Sequence, residues 1–175
     1  MILRVTQILR LAGLVDFSGI APDVLEAARQ RGTDVHSWID GYHFGMQSEP
    51  EPEIAGYCEA YLRFLRECAM EIVGVEQVVE STTYRYRGRL DLRAVIEGKL
   101  WVLDVKATAS VPQVAALQLA GYALCLNEPH RRGVLHLRAD GWKLVEFPEK
   151  SDVHDWLACV RIAHWKLRNG MGGVE

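Results

Sequence analysis

The chain has 175 residues, of which 49 % are hydrophobic and 25 % charged, and it carries a net charge of −3 with a pI near 6.1. That length can bury one ordinary core, the composition excludes a disordered or fibrous chain, and the near-neutral balance excludes the whole-molecule cationic field of a histone-like binder. Cys58, Cys68, Cys125 and Cys159 form no C-x-x-C pair, and no apolar run or cleavable leader is found, so no zinc ribbon, redox motif, membrane span or export signal is expected and the protein reads as cytoplasmic with reduced thiols.

In chain order, Thr6 is a plausible N-cap for a first helix through Ile8, Leu9, Leu11 and Ala12, with Gly13 as its stop. A second helix is predicted from Pro22 and Asp23 onward, with Leu25, Ala28, Val35, Ile39 and Tyr42 on one buried stripe and Gly32 allowing a break. The acidic, proline-punctuated stretch "MQSEPEPE" reads as a loop, and Ile54 to Val73 again has helical spacing, so residues 1–73 are expected to be mainly helical. From Val75 the sequence turns β-branched and aromatic, broken at Gly88 and Gly98, which predicts three antiparallel strands. Ser110 and Pro112 announce a helix, residues 133–147 a hairpin turning at Ala139 to Gly141, and Ser151 caps a last helix with Val153, Trp156, Leu157, Val160, Ala163 and Leu167 inside. No repeat or linker divides the chain, which predicts one domain over 1–175, with the main sheet-bearing core at 75–168.

Chemistry concentrates in "LWVLDVKATAS", Leu100 to Ser110, where an apolar strand ends in an acid and a base. If Glu97-Gly98 is a two-residue hairpin loop, Ile96 faces Lys99, cross-strand partners sum to 195, and Asp91 lies opposite Asp104. Like charges placed that way are destabilising and call for a cation. Alternation puts Lys106 on the face of Asp104, with Trp101, Leu103 and Val105 on the other. Taken alone, Asp104 and Lys106 read as an ordinary same-face salt bridge, with Asp91 ending a strand at the surface.

The wider pattern is more specific. "GRLD" at Gly88 to Asp91, "DVK" at Asp104 to Lys106, "QLAGY" at Gln118 to Tyr122 and, upstream, "RGTDVHSWI" around His36 resemble, in order and spacing, the RecB-like branch of the PD-(D/E)XK nuclease superfamily. The resemblance spans residues 32–122. It implies an α/β (α+β) fold with a central mixed β-sheet of about five strands flanked by helices, a restriction-endonuclease-like αβββαβ core behind an N-terminal helical extension.

By that resemblance Asp91 and Asp104, with the Val105 carbonyl and His36, would hold magnesium or manganese. Lys106 would orient or deprotonate a water or stabilise the phosphate, while Gln118 and Tyr122 would border the reaction from one helix face. From the residues alone, His36 fits a core-edge histidine bonded to a backbone carbonyl, and Gln118 and Tyr122 a helix packed on the sheet. The isolated Cys159 implies no iron-sulfur cluster, and the absence of a G-x-x-x-x-G-K-[ST] loop implies no nucleotide. Arg85, Arg87, Arg89 and Arg93 alternate along two expected strands and suit phosphate contact, although charge on strands also guards solvent edges. Tyr84 and Tyr86 suit stacking on unpaired bases or simple packing. Glu80, with a tight turn at Arg87-Gly88, falls opposite Val95 and is set aside; His154 and His164 read as structural. The implied activity is that of a metal-dependent DNA exonuclease in recombination, repair or phage and mobile-element DNA metabolism. Its partners would be DNA ends or single strands and a recombinase, helicase or single-strand-binding protein, and an oligomer is compatible with the reading. The competing reading is a catalytically idle nuclease fold that binds nucleic acid or serves in an assembly.

Overall fold

A computed structural model describes residues 1–46 and 48–171. Eleven elements follow one another: β1 (Leu3–Arg4), α1 (Val5–Ala12), α2 (Pro22–His43), α3 (Ala55–Glu67), β2 (Met70–Ser81), β3 (Tyr86–Ile96), β4 (Lys99–Lys106), α4 (Ala115–Leu124), β5 (Arg131–Arg138), β6 (Gly141–Glu146) and α5 (Asp152–Arg168). The six strands form one mixed sheet in the order β1-β3-β4-β5-β6, with β2 also paired to β3. β4 and β5 run parallel, joined by the α4 crossover, as parallel neighbours require a connection longer than a hairpin. Two cores cover the two faces. One gathers Leu3, Ile8, Leu90, Val102, Leu119, Val134 and Trp156 beneath α1, α4 and α5; the other gathers Val35, Ile39, Tyr61, Phe64, Leu92, Leu103 and Leu135 beneath α2 and α3. No helix among the described residues is long and apolar enough to cross a membrane.

The hairpin that fixes the carboxylate register forms as expected. Glu97 (φ 50°) and Gly98 (φ 72°) occupy the left-handed region, as a two-residue turn demands, and Ile96 pairs with Lys99. The β3–β4 ladder runs from there to Leu92–Leu103 and stops one step short of Asp91 and Asp104. On the same edge of β3, β1 pairs only at Tyr86 and Arg87. Residues 88–91 therefore have no ladder partner on that edge, and the candidate site opens in the gap.

Several local expectations are corrected. Arg4, not Thr6, sits at the N-cap of α1, where the Gln7 side chain accepts from the Arg4 N–H. α2 runs through Gly32 without a break. α3 stops at Glu67, and Met70 to Val73 belong to β2, because pairing of Met70 with Ile96 and of Ile72 with Ala94 outweighs a helical continuation. Gly88 lies inside β3, and the turn before that strand is at residues 82–85. Ser151 precedes α5 in helical conformation without a side-chain cap. The short parallel strand β1 brings the count to six rather than five.

Candidate active site

Asp91 and Asp104 reach the same cavity, of about 640 Å³, together with Lys106, His36, Gln118 and Tyr122. Each arrives from a different constraint. Asp91 sits where β3 changes the face it buries: Tyr86 and Leu90 belong to the core under α4 and α5, whereas Leu92, Ala94 and Ile96 belong to the other. The opposing strand is irregular here too, with a register shift between Ile72 and Gly74 and a positive φ of 49° at Glu76. Such irregularities re-aim side chains beside functional sites. In place of a backbone ladder bond, Asp91 Oδ2 accepts the Val105 N–H at 2.7 Å.

Asp104 is 1 % exposed. Its Oδ1 accepts from Gln118 Nε2 at 2.8 Å, and its Oδ2 lies 2.9 Å from Lys106 Nζ, an ion pair whose approach falls outside good hydrogen-bond geometry and leaves that oxygen without a well-directed donor. Gln118 Nε2 also donates to Tyr122 Oη at 3.0 Å, so both its amide protons are committed and Oε1 is its remaining polar group. Tyr122 packs where only glycine leaves room: a Cβ on Gly88 would stand 2.4 Å from Tyr122 Cε1.

From α2, His36 Nε2 lies 3.0 Å from the Val105 carbonyl, which can only accept; Nε2 therefore carries a proton and, in the neutral ring, Nδ1, 3.9 Å from Asp91 Oδ1, keeps its lone pair toward the acids. The Val105 carbonyl keeps a second lone pair.

The electrostatics show an excess of negative charge. Burial, then the Asp104 carboxylate, pushes the Asp91 pKa well above the usual range, against the pull of Lys106 and the Val105 N–H. For Lys106, burial works to lower the pKa, but Asp104 and Asp91 outweigh it and hold the amine above its ordinary value. Burial likewise raises Asp40, one turn beyond His36 on α2.

Glu76 is the site residue that sequence reasoning missed. One ligand atom from each of His36, Glu76 and Asp91 lies within 4.8 Å of the others, whereas Asp104 stands outside that triad. Glu76 Oε2 is 2.5 Å from Arg89 Nε yet, like Asp104 Oδ2, lacks a well-directed hydrogen bond. Oxygen donors with one imidazole, two buried oxygens short of donors, and a carboxyl repelled by its neighbour fit a hard divalent cation. The signal for Glu76 was present. β2 and β3 pair as Gln77–Leu90 and Val75–Leu92, which sets Glu76 across from Asp91; a turn placed at Arg87-Gly88 instead of residues 82–85 hid it.

No family model matches the sequence, and no curated protein matches it. By structure, the chain superposes on an inferred exonuclease from Eubacterium rectale with a TM-score of 0.61, covering 98 % of this chain and 83 % of that one at 12 % identity. The two proteins share a fold. An alkaline exonuclease from Laribacter hongkongensis matches at a TM-score of 0.45 and 9 % identity over 97 % of this chain and 93 % of that one, too slight a likeness to carry weight.

The four arginines do not form one rim. Arg87 and Arg89 line the cavity. Arg85 lies in the β2–β3 turn, beside α5, and Arg93 is engaged by Glu128 and by His130. Tyr86 is fully buried, its hydroxyl donating to the Gly121 carbonyl at 2.8 Å, so it offers no stacking face; Tyr84 is exposed. Glu80 pairs with Arg87 and stays outside the acidic cluster, and neither His154 nor His164 lines the cavity.

Proposed function

We propose that the chain is a divalent-metal-dependent deoxyribonuclease of the RecB-like PD-(D/E)XK type, one domain that works from DNA ends. The observation that carries this reading is the convergence of Asp91, Asp104, Lys106, His36 and Gln118 on one cavity, from two strands and two helices. The fold shared with the Eubacterium rectale protein supports it.

Asp91, Asp104 and His36 Nδ1 would hold magnesium or manganese, with Glu76 joining them and the Val105 carbonyl offering its second lone pair. When bound, such an ion lowers the pKa of its water and offsets charge on the phosphate. The protein's own groups supply the rest. Lys106, kept protonated by its two acids, acts as a point charge toward the phosphoryl oxygens. Gln118 Oε1 accepts from the attacking water and orients it, since the amide protons are already spent. Tyr122, which accepts from Gln118, keeps its own proton for a phosphate oxygen. Arg87 and Arg89 neutralise the strand's phosphates, and Arg89 exchanges Glu76 for one of them.

Incubating labelled single- and double-stranded DNA with the protein and magnesium or manganese tests the proposal. Cleavage is expected, with Asp104→Asn and Lys106→Ala each lowering the rate about 10²–10⁴-fold. A wild-type protein that cuts neither substrate with either metal refutes the enzyme reading.

A further inference from the structure

A second concavity of about 620 Å³ lies outside the catalytic cavity, between the β2–β3 turn and the outer face of α5. Tyr84 and Arg85 border it from the turn, and Arg161, His164, Trp165 and Arg168 from the helix. The helix residues sit three or four apart and so share one face, while Trp156, Cys159, Val160 and Ala163 bury the other. Trp165 is 49 % and Tyr84 39 % exposed, although the core beneath them is complete. No acid lines the groove, and none of its three arginines makes a salt bridge among the described residues. Arginines with open aromatic faces and no opposing carboxylate match a polyanion whose bases are unpaired, because a duplex would keep its bases from those rings.

The turn that borders the groove leads directly into β3, the strand that carries Asp91. Arg85 stands six residues before Asp91, a run of about 20 Å at strand rise, with Arg87 and Arg89 between them. Arg4, beside Arg87 in the β1–β3 pairing, adds to the same track.

We propose that this groove holds a single-stranded stretch of the DNA whose other part lies in the Asp91–Asp104 cavity, with bases stacked on Trp165 and Tyr84 and phosphates on Arg85, Arg161 and Arg168. The inference rests on the nuclease reading and adds where the strand runs. It makes the enzyme grip unpaired DNA at a distance from the scissile bond.

Fluorescence anisotropy with labelled oligodeoxythymidine of about 20 nucleotides in EDTA, which separates binding from cleavage, tests it. Trp165→Ala is expected to weaken binding about 5- to 100-fold, as for a lost stacking platform, while Trp165→Phe restores most of it. The Arg161→Ala, Arg168→Ala double variant is expected to weaken binding and to flatten the salt dependence by about 0.7 in log–log slope per lost phosphate contact. Cleavage of a dinucleotide, too short to span the track, and the melting temperature should not change. Wild-type protein that fails to bind the oligomer, variants that bind like wild type, or variants that alter only the oligomeric state in light scattering would each overturn the proposal, the last marking the groove as a contact between copies. The two readings fail separately. Groove-dependent binding without cleavage under any metal removes the nuclease, whereas cleavage of the 20-nucleotide strand lost in Asp104→Asn but untouched in every groove variant removes the groove.

Discussion

Gln118 governs how the oxygens of the site are shared, because its two amide protons go to Asp104 and Tyr122 and fix which way the carboxamide points. Glu76 has the opposite character: it is a carboxylate at a positive φ whose salt-bridge partner is Arg89. Glu76→Gln is expected to weaken metal affinity at least about tenfold, read by calorimetric titration, and to leave the metal-free melting temperature unchanged or higher. Far from the cavity, His130 carries a separate prediction. Arg93 Nε donates to His130 Nε2 at 2.9 Å, and His130 Nδ1 faces the Glu128 carbonyl at 2.7 Å, so the neutral ring holds its proton on Nδ1. Burial, then Arg93, lowers its pKa from 6.5 to about 4. A folded-state pKa below the unfolded value means stability that is fully present above pH 6.5 and is lost as pH falls toward 4. Urea unfolding at pH 7 and pH 5 should show that loss, and His130→Gln should shrink it. Of these residues, His36, Asp91, Asp104 and Lys106 were legible from motif and alternation, whereas the engagement of Arg93 depends on a loop that no local pattern ties to β3.

At the scale of elements, β3 is the organiser: it pairs with β1, β2 and β4 and leaves 88–91 open for the site. Gly88 in that stretch exists for the tyrosine ring against it. Gly88→Ala would force Tyr122 to move, and it is expected to cost about 1–3 kcal/mol in chemical denaturation and to lower cleavage by disturbing Gln118. Strand register was readable because a two-residue turn leaves no freedom; β2 was not, because its turn carries no glycine at the left-handed position, which Arg85 fills with φ 56°. The helix-to-strand change after Glu67 was blurred for a related reason. Met70 and Ile72 join the sheet through partners more than twenty residues away, and periodicity within a window cannot sense a partner.

For the molecule as a whole, the mixed sheet flanked by helices was expected from the family resemblance, and β1 escaped, since two residues carry no period. The site concentrates like charge inside this sandwich, so a bound cation should stabilise the folded chain. Saturating manganese or magnesium at about 100 times its dissociation constant would add about 2.7 kcal/mol and raise the melting temperature by about 5–10 °C, a shift that Asp91→Asn should abolish. The Glu97-Gly98 turn has a wider consequence, for which lengths of chain can give this protein at all. Between Asp91 and Lys106 the chemistry is encoded as a parity. Inserting one residue beside Gly98 would carry Asp104 and Lys106 to the face beneath α2 and α3 and Trp101 and Leu103 to the face beneath α1, α4 and α5, whereas two inserted residues would restore the phase. Homologous chains should therefore vary freely in length across residues 107–114, yet differ only by even steps, or not at all, in the hairpin before them.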